Sequence, residues 1–113
     1  MNNWIRLGFL DESDCDFSSY NKNIGVYKGE LDDELVYIGK ATEINNGGFR
    51  KRLRDYTRES DSARNYPAGR KMFENKDKVI ISVSFSDSVN DASIQERELI
   101  DTLNPKWNRL GTT

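Results

Sequence analysis

Two charged side chains fall on the inner faces of predicted helices, where a charge needs a partner. At about 100° per residue, Glu96 falls within the apolar stripe of the last helix, formed by Ala92, Leu99, Ile100 and Leu103. Arg52 falls at the edge of the apolar face of the first helix, one turn before Tyr56. A buried carboxylate costs several kcal/mol unless it is satisfied, and such carboxylates concentrate at functional sites. The pattern favours a site at Glu96; alternatives are a structural salt bridge there and an Arg52 whose stem merely covers the core.

Three strands are predicted to support these helices. Residues 24–29 and 35–39 are rich in strand-forming side chains, and the acidic segment 30–34 separates them. So short a connection indicates an antiparallel hairpin. Residues 79–85 alternate between apolar and polar side chains and predict the third strand.

The helices follow from breaks and caps in the sequence. One helix is expected to begin just after the Asn-Gly break at 45–48, and a second over residues 67–74. Asp87 or Asn90 would cap the last helix, which should end near Leu103 because Asn-Pro follows. The resulting order predicts an α+β fold with a three-stranded antiparallel sheet flanked by helices.

Charge is distributed unevenly along the chain, although the net charge is only −2. Residues 1–34 carry three basic and eight acidic side chains, whereas residues 40–78 carry eleven basic and six acidic ones. Positive charge confined to one stretch suggests a face that meets phosphate on an otherwise acidic body. A solvated helix surface is the alternative.

Composition excludes several classes of protein. The chain has no histidine and a single cysteine, Cys15, which excludes zinc fingers, His-ligated metal sites, Cys–His proteases and Ser–His–Asp hydrolases. The longest nearly apolar run covers only residues 79–83, and the N-terminus lacks the pattern of a secretory signal. The chain of 113 residues is therefore predicted to form one soluble cytoplasmic domain without a membrane partner.

A paired tripeptide motif resembles the signature of a known family. Gly25-Val26-Tyr27 is followed, after nine residues, by Tyr37-Ile38-Gly39. This pair is similar to the motif of the GIY-YIG nucleases. The family then places a lysine, a helical arginine, a glutamate on a later helix and a terminal asparagine, which match Lys40, Arg52, Glu96 and Asn108. The resemblance implies a nuclease domain over 24–108, an N-terminal extension at 1–23 and a tail at 109–113.

The sequence departs from the family pattern at two positions, of which the second has the greater consequence. Val26 replaces isoleucine in the first tripeptide, and both residues are β-branched. Tyr56 stands one turn after the arginine, where many members have histidine. In this respect the chain is similar to the excision-repair branch of the family, so a mechanism based on imidazole is not expected.

The resemblance implies a metal-dependent DNA endonuclease that hydrolyses phosphodiester bonds. In it, Glu96 would bind Mg²⁺ or Mn²⁺ and Arg52 would hold the scissile phosphate. Tyr27 would act as general base, with Lys40 as the neighbouring cation that makes this possible.

The remaining family positions are assigned supporting roles. Tyr37 and Tyr56 would orient water or phosphate, and Asn108 would hold the chain end in place. Further arginines of the basic stretch, expected to contact DNA, are Arg50, Arg54 and Arg58.

Several interpretations remain open at this level. Tyr27 and Tyr37 could be a cross-strand pair that only packs, and Lys40 a solvated surface charge. The domain could be a non-catalytic nucleic-acid-binding module on the same fold, or a partner-binding domain that uses its acidic N-terminal third. If it is an enzyme, its role could be restriction, phage DNA degradation or repair. Cutting both strands would need a homodimer, two binding events or nicks at separated sites.

Overall fold

One antiparallel sheet organises the computed structural model, which describes residues 3–11, 17–57 and 67–110. Its strands are β1 (Ile5–Phe9), β2 (Gly25–Leu31), β3 (Glu34–Ala41) and β4 (Ile80–Phe85). They lie in the order β1-β4-β2-β3, and every neighbouring pair is antiparallel. The predicted α+β architecture with an antiparallel sheet is confirmed, but the predicted count of three strands is wrong.

The fourth strand, β1, comes from the segment before residue 24. It pairs with β4, and a register irregularity lies between Arg6 and Gly8, where Gly8 has φ 115°. This bulge interrupts the alternation that identifies a strand in a sequence, and the partner strand is distant along the chain. These two features explain why local patterns did not reveal β1.

The predicted hairpin is confirmed as β2 and β3. The connecting residues Asp32 and Asp33 have φ of 52° and 65°. Positive φ at both central residues is typical of the tight hairpin turn whose twist matches that of the strands. The register pairs Tyr27 with Gly39 and Val26 with Lys40.

The glycines of the paired motif allow close packing in and beside the hairpin of β2 and β3. Gly25 has φ 151°, and a Cβ there would overlap the backbone carbonyl of Ser84. A Cβ on Gly39 would overlap the ring and hydroxyl of Tyr27. The tyrosine of the first tripeptide therefore lies across the glycine of the second, which is a physical reason for the two tripeptides to occur together.

Three α-helices are present in the described part of the chain: α1 (Gly48–Asp55), α2 (Pro67–Glu74) and α3 (Val89–Leu103). Short 3₁₀ helices cover Ser18–Tyr20 and Lys106–Leu110. The expected helix over 67–74 is confirmed.

The last helix does not begin at either residue that was predicted to cap it. Ser88 is the N-cap of α3, and its hydroxyl accepts a hydrogen bond from the Asp91 backbone N–H. Asp87 and Asn90 flank this position, so the predicted boundary is displaced by a residue or two, as is common for helix ends. The helix ends at Leu103, as predicted, because Asn104 adopts a left-handed conformation.

The helices cover both faces of the sheet next to β3. Tyr27 pairs with Gly39 across the hairpin, so these two positions share one face of the sheet. Lys40 follows Gly39, and because successive strand residues point to opposite faces, its side chain points to the other face. Tyr27 belongs to the main buried cluster together with Phe49 and Leu53 of α1. Lys40 instead contacts Ser93 of α3. Since β3 is an edge strand, side chains from α1 and α3 can meet around it.

Candidate active site

Three of the predicted site residues, Lys40 of β3, Arg52 of α1 and Glu96 of α3, line one cavity at the end of β3. The cavity has a volume of about 200 Å³. Its lining residues are Lys40, Ala41, Thr42, Glu43, Gly48, Lys51, Arg52 and Glu96. Residues 44 positions apart in the sequence are thus brought to one concave surface that carries both signs of charge.

Glu96 is half-buried at this cavity. Burial raises the pKa of its carboxyl, and the positive charges of Lys40 and then Arg52 oppose that rise. The surroundings are less apolar than the sequence suggested, because Leu103 is 48% exposed and Ala92 alone is buried among the residues of α3, all of which are described. The predicted apolar stripe of α3 is therefore only partly covered. The negative charge of Glu96 can be accommodated here because two cations lie nearby and the carboxylate is partly solvated.

Arg52 connects the cavity to the buried tyrosines. Its Nε donates a hydrogen bond of 3.4 Å to the Tyr27 hydroxyl. Its guanidinium carbon lies 5.5 Å from the centre of the Tyr56 ring, a cation–π distance. These contacts orient the planar group, and fixed guanidinium groups suit the recognition of phosphate.

Three buried tyrosines form a cluster behind Arg52. The Tyr27 and Tyr56 hydroxyls are joined by a hydrogen bond of 2.6 Å. The ring centres of Tyr27, Tyr37 and Tyr56 lie 6.1–6.3 Å apart in pairs. Tyr27 is 0% exposed, so its hydroxyl is held by protein groups rather than by bulk solvent. The rings of Tyr27 and Tyr37 therefore do pack together, as the purely structural interpretation of this pair predicted. The same packing fixes the position of the Tyr27 hydroxyl.

The sequence predicted that Lys40 is the cation next to the Tyr27 hydroxyl, and this prediction is wrong. Its ammonium donates a hydrogen bond of 3.1 Å to the Ser93 hydroxyl, while Arg52 supplies a cation at the Tyr27 hydroxyl. The reason is strand geometry. Tyr27 pairs with Gly39, so the next residue along β3 points to the other face of the sheet.

Asn108 supports β3 from outside the sheet. Its Oδ1 accepts from the Ile38 backbone N–H at 2.9 Å, and its Nδ2 donates to the Ile38 carbonyl at 2.9 Å. An edge strand leaves such groups without a strand partner, and this side-chain amide satisfies both. The arrangement anchors the chain end to the strand that precedes the cavity.

Removing this amide should destabilise the fold. For Asn108→Ala we expect a loss of about 1–3 kcal/mol in the free energy of unfolding, because two backbone groups lose their partner. Asn108→Asp should lose nearly as much, since a carboxylate cannot donate to the Ile38 carbonyl. Urea titration measures both, with the exposed neighbour Arg109→Ala as control. Equal stability of Asn108→Ala and the control would contradict this role.

Two of the three arginines expected to contact DNA lie beside a second cavity of about 350 Å³, next to the first. It is lined by Asn45, Asn46, Gly47, Arg50, Lys51, Arg54 and Asp55. Lys51 lines both cavities and forms ion pairs with Glu43 at 3.0 Å and Asp55 at 3.9 Å. Arg58 lies outside the described residues.

Sequence reasoning missed Ser93 and Glu43. Ser93 precedes Glu96 by three residues, which places both on one side of a helix, so the spacing was a usable signal. Glu43 lines the cavity from the loop after β3, and no periodicity marks a loop residue.

The comparison with known families decides which one the chain belongs to. The model of the UvrC-like GIY-YIG domain matches residues 23–109, which is most of the chain. The chain belongs to the GIY-YIG family. No match to a curated protein was found.

Solved structures similar to this GIY-YIG domain come from UvrC of Thermotoga maritima. Its N-terminal endonuclease domain bound to magnesium is 26% identical, with a TM-score of 0.55, over 78% of this chain and 85% of that one. A tyrosine-to-phenylalanine mutant bound to the catalytic divalent cation is 25% identical, with a TM-score of 0.54, over 78% and 84%. An asparagine-to-alanine mutant bound to its cation has 25% identity, a TM-score of 0.53, and coverage of 77% and 83%.

The donor set of this GIY-YIG domain is compatible with a hard divalent cation. Among the described residues no group of three or more His, Cys, Asp or Glu side chains could enclose a metal ion. Mg²⁺ does not need such a cage, because it keeps several waters and is commonly held by one or two carboxylates together with phosphate oxygens. The half-buried Glu96 at an open cavity fits this requirement.

Within the described ranges, no helix is long and apolar enough to cross a bilayer.

Proposed function

We propose that this GIY-YIG domain is a metal-dependent endonuclease that hydrolyses phosphodiester bonds of DNA. The observation that carries the proposal is the convergence of Glu96, Arg52 and Lys40 on one cavity, with the Tyr27 hydroxyl hydrogen-bonded to Arg52. The UvrC domains to which the chain is similar are endonuclease domains bound to a divalent cation.

The cations of the site suit an anionic substrate. Arg52 would contact the scissile phosphate and offset the charge that grows in the transition state, where a fixed guanidinium is most effective. Lys40 adds a second positive charge to the same cavity, which it reaches from the face of β3 opposite to Tyr27. Arg50 and Arg54, beside the second cavity, would contact neighbouring phosphates of the strand, and we assign the same role to Arg58.

Glu96 is the residue that would hold Mg²⁺ or Mn²⁺. Such a cation neutralises phosphate charge and stabilises a leaving oxygen. Burial raises the pKa of Glu96, and the positive charges of Lys40 and Arg52 oppose that rise, which favours the ionised form that a metal ion binds.

Tyr27 is the group that would accept the proton of the attacking water. A phenol has an unperturbed pKa of about 10, and an adjacent cation favours its ionised form. Arg52 supplies that cation, in place of the Lys40 expected from the sequence. The short hydrogen bond from or to Tyr56 fixes the hydroxyl, and Tyr37 packs beside both rings.

Nicking of supercoiled plasmid tests the proposal. The purified chain should convert supercoiled to open-circular DNA with Mg²⁺ or Mn²⁺, and EDTA should stop the reaction. Absence of cutting on supercoiled, branched and single-stranded DNA, with binding retained, would instead support a nucleic-acid-binding module.

One site cuts one strand, so the product also reports whether a second copy participates. A nick indicates a single site, whereas linear DNA formed in one event requires a dimer.

Arg52→Ala should reduce the rate of strand cleavage by about 10²–10³-fold, because its contact is made chiefly to the charge of the transition state. The measurement is single-turnover cleavage at saturating protein. Arg50→Ala is the comparison, since it should weaken DNA binding and lessen the salt dependence of binding while the saturated rate changes little. Equal losses of rate in Arg52→Ala and Arg54→Ala would show that the wrong arginine was assigned.

A further inference from the structure

Ser93 of α3 contacts Lys40, one of the charged residues that line the cavity together with Glu96. It lies three residues before Glu96, and its hydroxyl accepts the hydrogen bond of 3.1 Å from the Lys40 ammonium. The two bonded residues are 53 positions apart and belong to different layers of the fold.

This contact is unusual for a serine inside a helix. Such serines generally hydrogen-bond to the carbonyl of the preceding turn or point to solvent. Here the hydroxyl receives a charged donor from the end of β3, in a partly buried setting. A hydrogen bond to a charged group is among the stronger side-chain contacts in proteins, so this one can determine where the ammonium lies.

The position of that ammonium matters because a carboxylate is nearby. Lys40 and Glu96 line the same cavity, yet no hydrogen bond or ion pair joins the Glu96 carboxylate to another residue in the described ranges. A lysine has a long, flexible stem with a compact charge at its end. Without Ser93, the ammonium would be free to move onto the carboxylate and form a direct ion pair.

We propose that Ser93 is a positioning residue that holds Lys40 away from Glu96, so that the carboxylate stays open to a divalent cation and the ammonium to phosphate. This inference rests on the proposed function for its catalytic consequence. Its structural part concerns only Lys40, Ser93 and Glu96.

Substitutions at positions 93 and 40 separate this role from a general effect on the helix. Ser93→Ala removes the acceptor, and Ser93→Thr retains a hydroxyl. Lys40→Ala and the double variant Ser93→Ala/Lys40→Ala complete a thermodynamic cycle. Thr102→Ala, an exposed position of the same helix, is the matched control. Mn²⁺ binding, measured by the electron paramagnetic resonance signal of free Mn²⁺, gives a readout that does not depend on activity.

We expect Ser93→Ala to weaken Mn²⁺ binding and to slow nicking, each by about tenfold, because one charged hydrogen bond is lost and a competing ion pair forms. Ser93→Thr should recover most of both values. In the Lys40→Ala background, Ser93→Ala should have no further effect on Mn²⁺ binding. Thr102→Ala should match the wild type, and melting temperatures should show that every variant is folded.

Two results would overturn the inference. One is a Ser93→Ala protein that binds Mn²⁺ as tightly as Thr102→Ala, and the other is an equal loss with and without Lys40. Failure of the proposed function is a different outcome, because the wild type would then not nick DNA. If the Mn²⁺ cycle still shows coupling in that case, the positioning role stands. If the wild type binds no Mn²⁺, the positioning role falls too.

Discussion

Replacing Glu96 by glutamine is expected to reduce plasmid nicking by roughly 10³-fold or more, because it removes the carboxylate that would hold the divalent cation. Glutamine keeps the size and the position of the side chain, so packing of α3 should not change. Nicking at saturating Mn²⁺ is the measurement, with titration of Mn²⁺ to confirm that binding is lost. Cleavage that continues at the wild-type rate would remove Glu96 from the site.

The same substitution should stabilise the metal-free protein at neutral pH. Burial raises the pKa of Glu96 in the folded state, so the folded state binds this proton more tightly than the unfolded state does. The stability associated with that proton is present below the unfolded pKa and is lost as the pH rises through the higher, folded pKa.

Urea titration of both proteins without metal checks this sign. Glu96→Gln should unfold at higher urea than the wild type at pH 7, and the difference should disappear in acid, where Glu96 is protonated in both states. A less stable variant at pH 7 would show that loss of cleavage has a structural cause. Greater stability together with lost cleavage would place the effect at the site.

Tyr27→Phe is the second substitution with a large expected effect. It removes the hydroxyl that contacts Tyr56 and Arg52 but leaves the ring that packs over Gly39. The rate of cleavage should fall by about 10²–10⁴-fold, the usual contribution of a positioned general base. The melting temperature should change by only a few degrees, because one hydrogen-bonding group is lost and the packing is kept.

A matched control for this variant is Tyr20→Phe. Tyr20 is partly buried, its ring lies 6.0 Å from that of Phe85, and it does not line the cavity. It should retain the wild-type rate. If Tyr27→Phe also cuts at the wild-type rate, another group activates the water and the tyrosines are structural.

Local patterns were sufficient for the central part of the fold. The hairpin of β2 and β3 follows from two strand-forming runs around an acidic turn, and α2 was predicted with its observed bounds, Pro67–Glu74. Helical spacing also identified Arg52 and Glu96, because a helix turns every 3.6 residues and the position of a side chain around it depends on local sequence alone. These two residues do line one cavity.

Features that depend on distant contacts could not be predicted in this way. Strand β1 is defined by its pairing with β4, and the sequence contains no local signal for that pairing. Which cation lies next to Tyr27 depends on the register of the hairpin, since a shift of one residue reverses the face of every side chain. The observed register places Lys40 on the face that α3 covers, so the interpretation of Lys40 as the partner of Tyr27 was wrong.

The environment of Glu96 illustrates the difference between a helix face and a buried surface. Spacing along α3 places Glu96 among aliphatic residues, but the extent to which they are covered depends on where the helix packs. Leu103 is about half exposed, and cations from β3 and α1 act on the carboxylate. The structure therefore places Glu96 at the cavity, but in surroundings other than the apolar ones predicted, and its role as a metal ligand stays a prediction.

The most direct test of a metal-dependent site at Glu96 is a crystal of the wild-type chain soaked with Mn²⁺, with diffraction collected at a wavelength where manganese scatters anomalously. We predict an anomalous peak next to the Glu96 carboxylate, within the cavity that Lys40 and Arg52 line. A fully occupied peak elsewhere, for example at Glu43 alone, or a Glu96 carboxylate that turns into bulk solvent without a peak, would contradict this assignment.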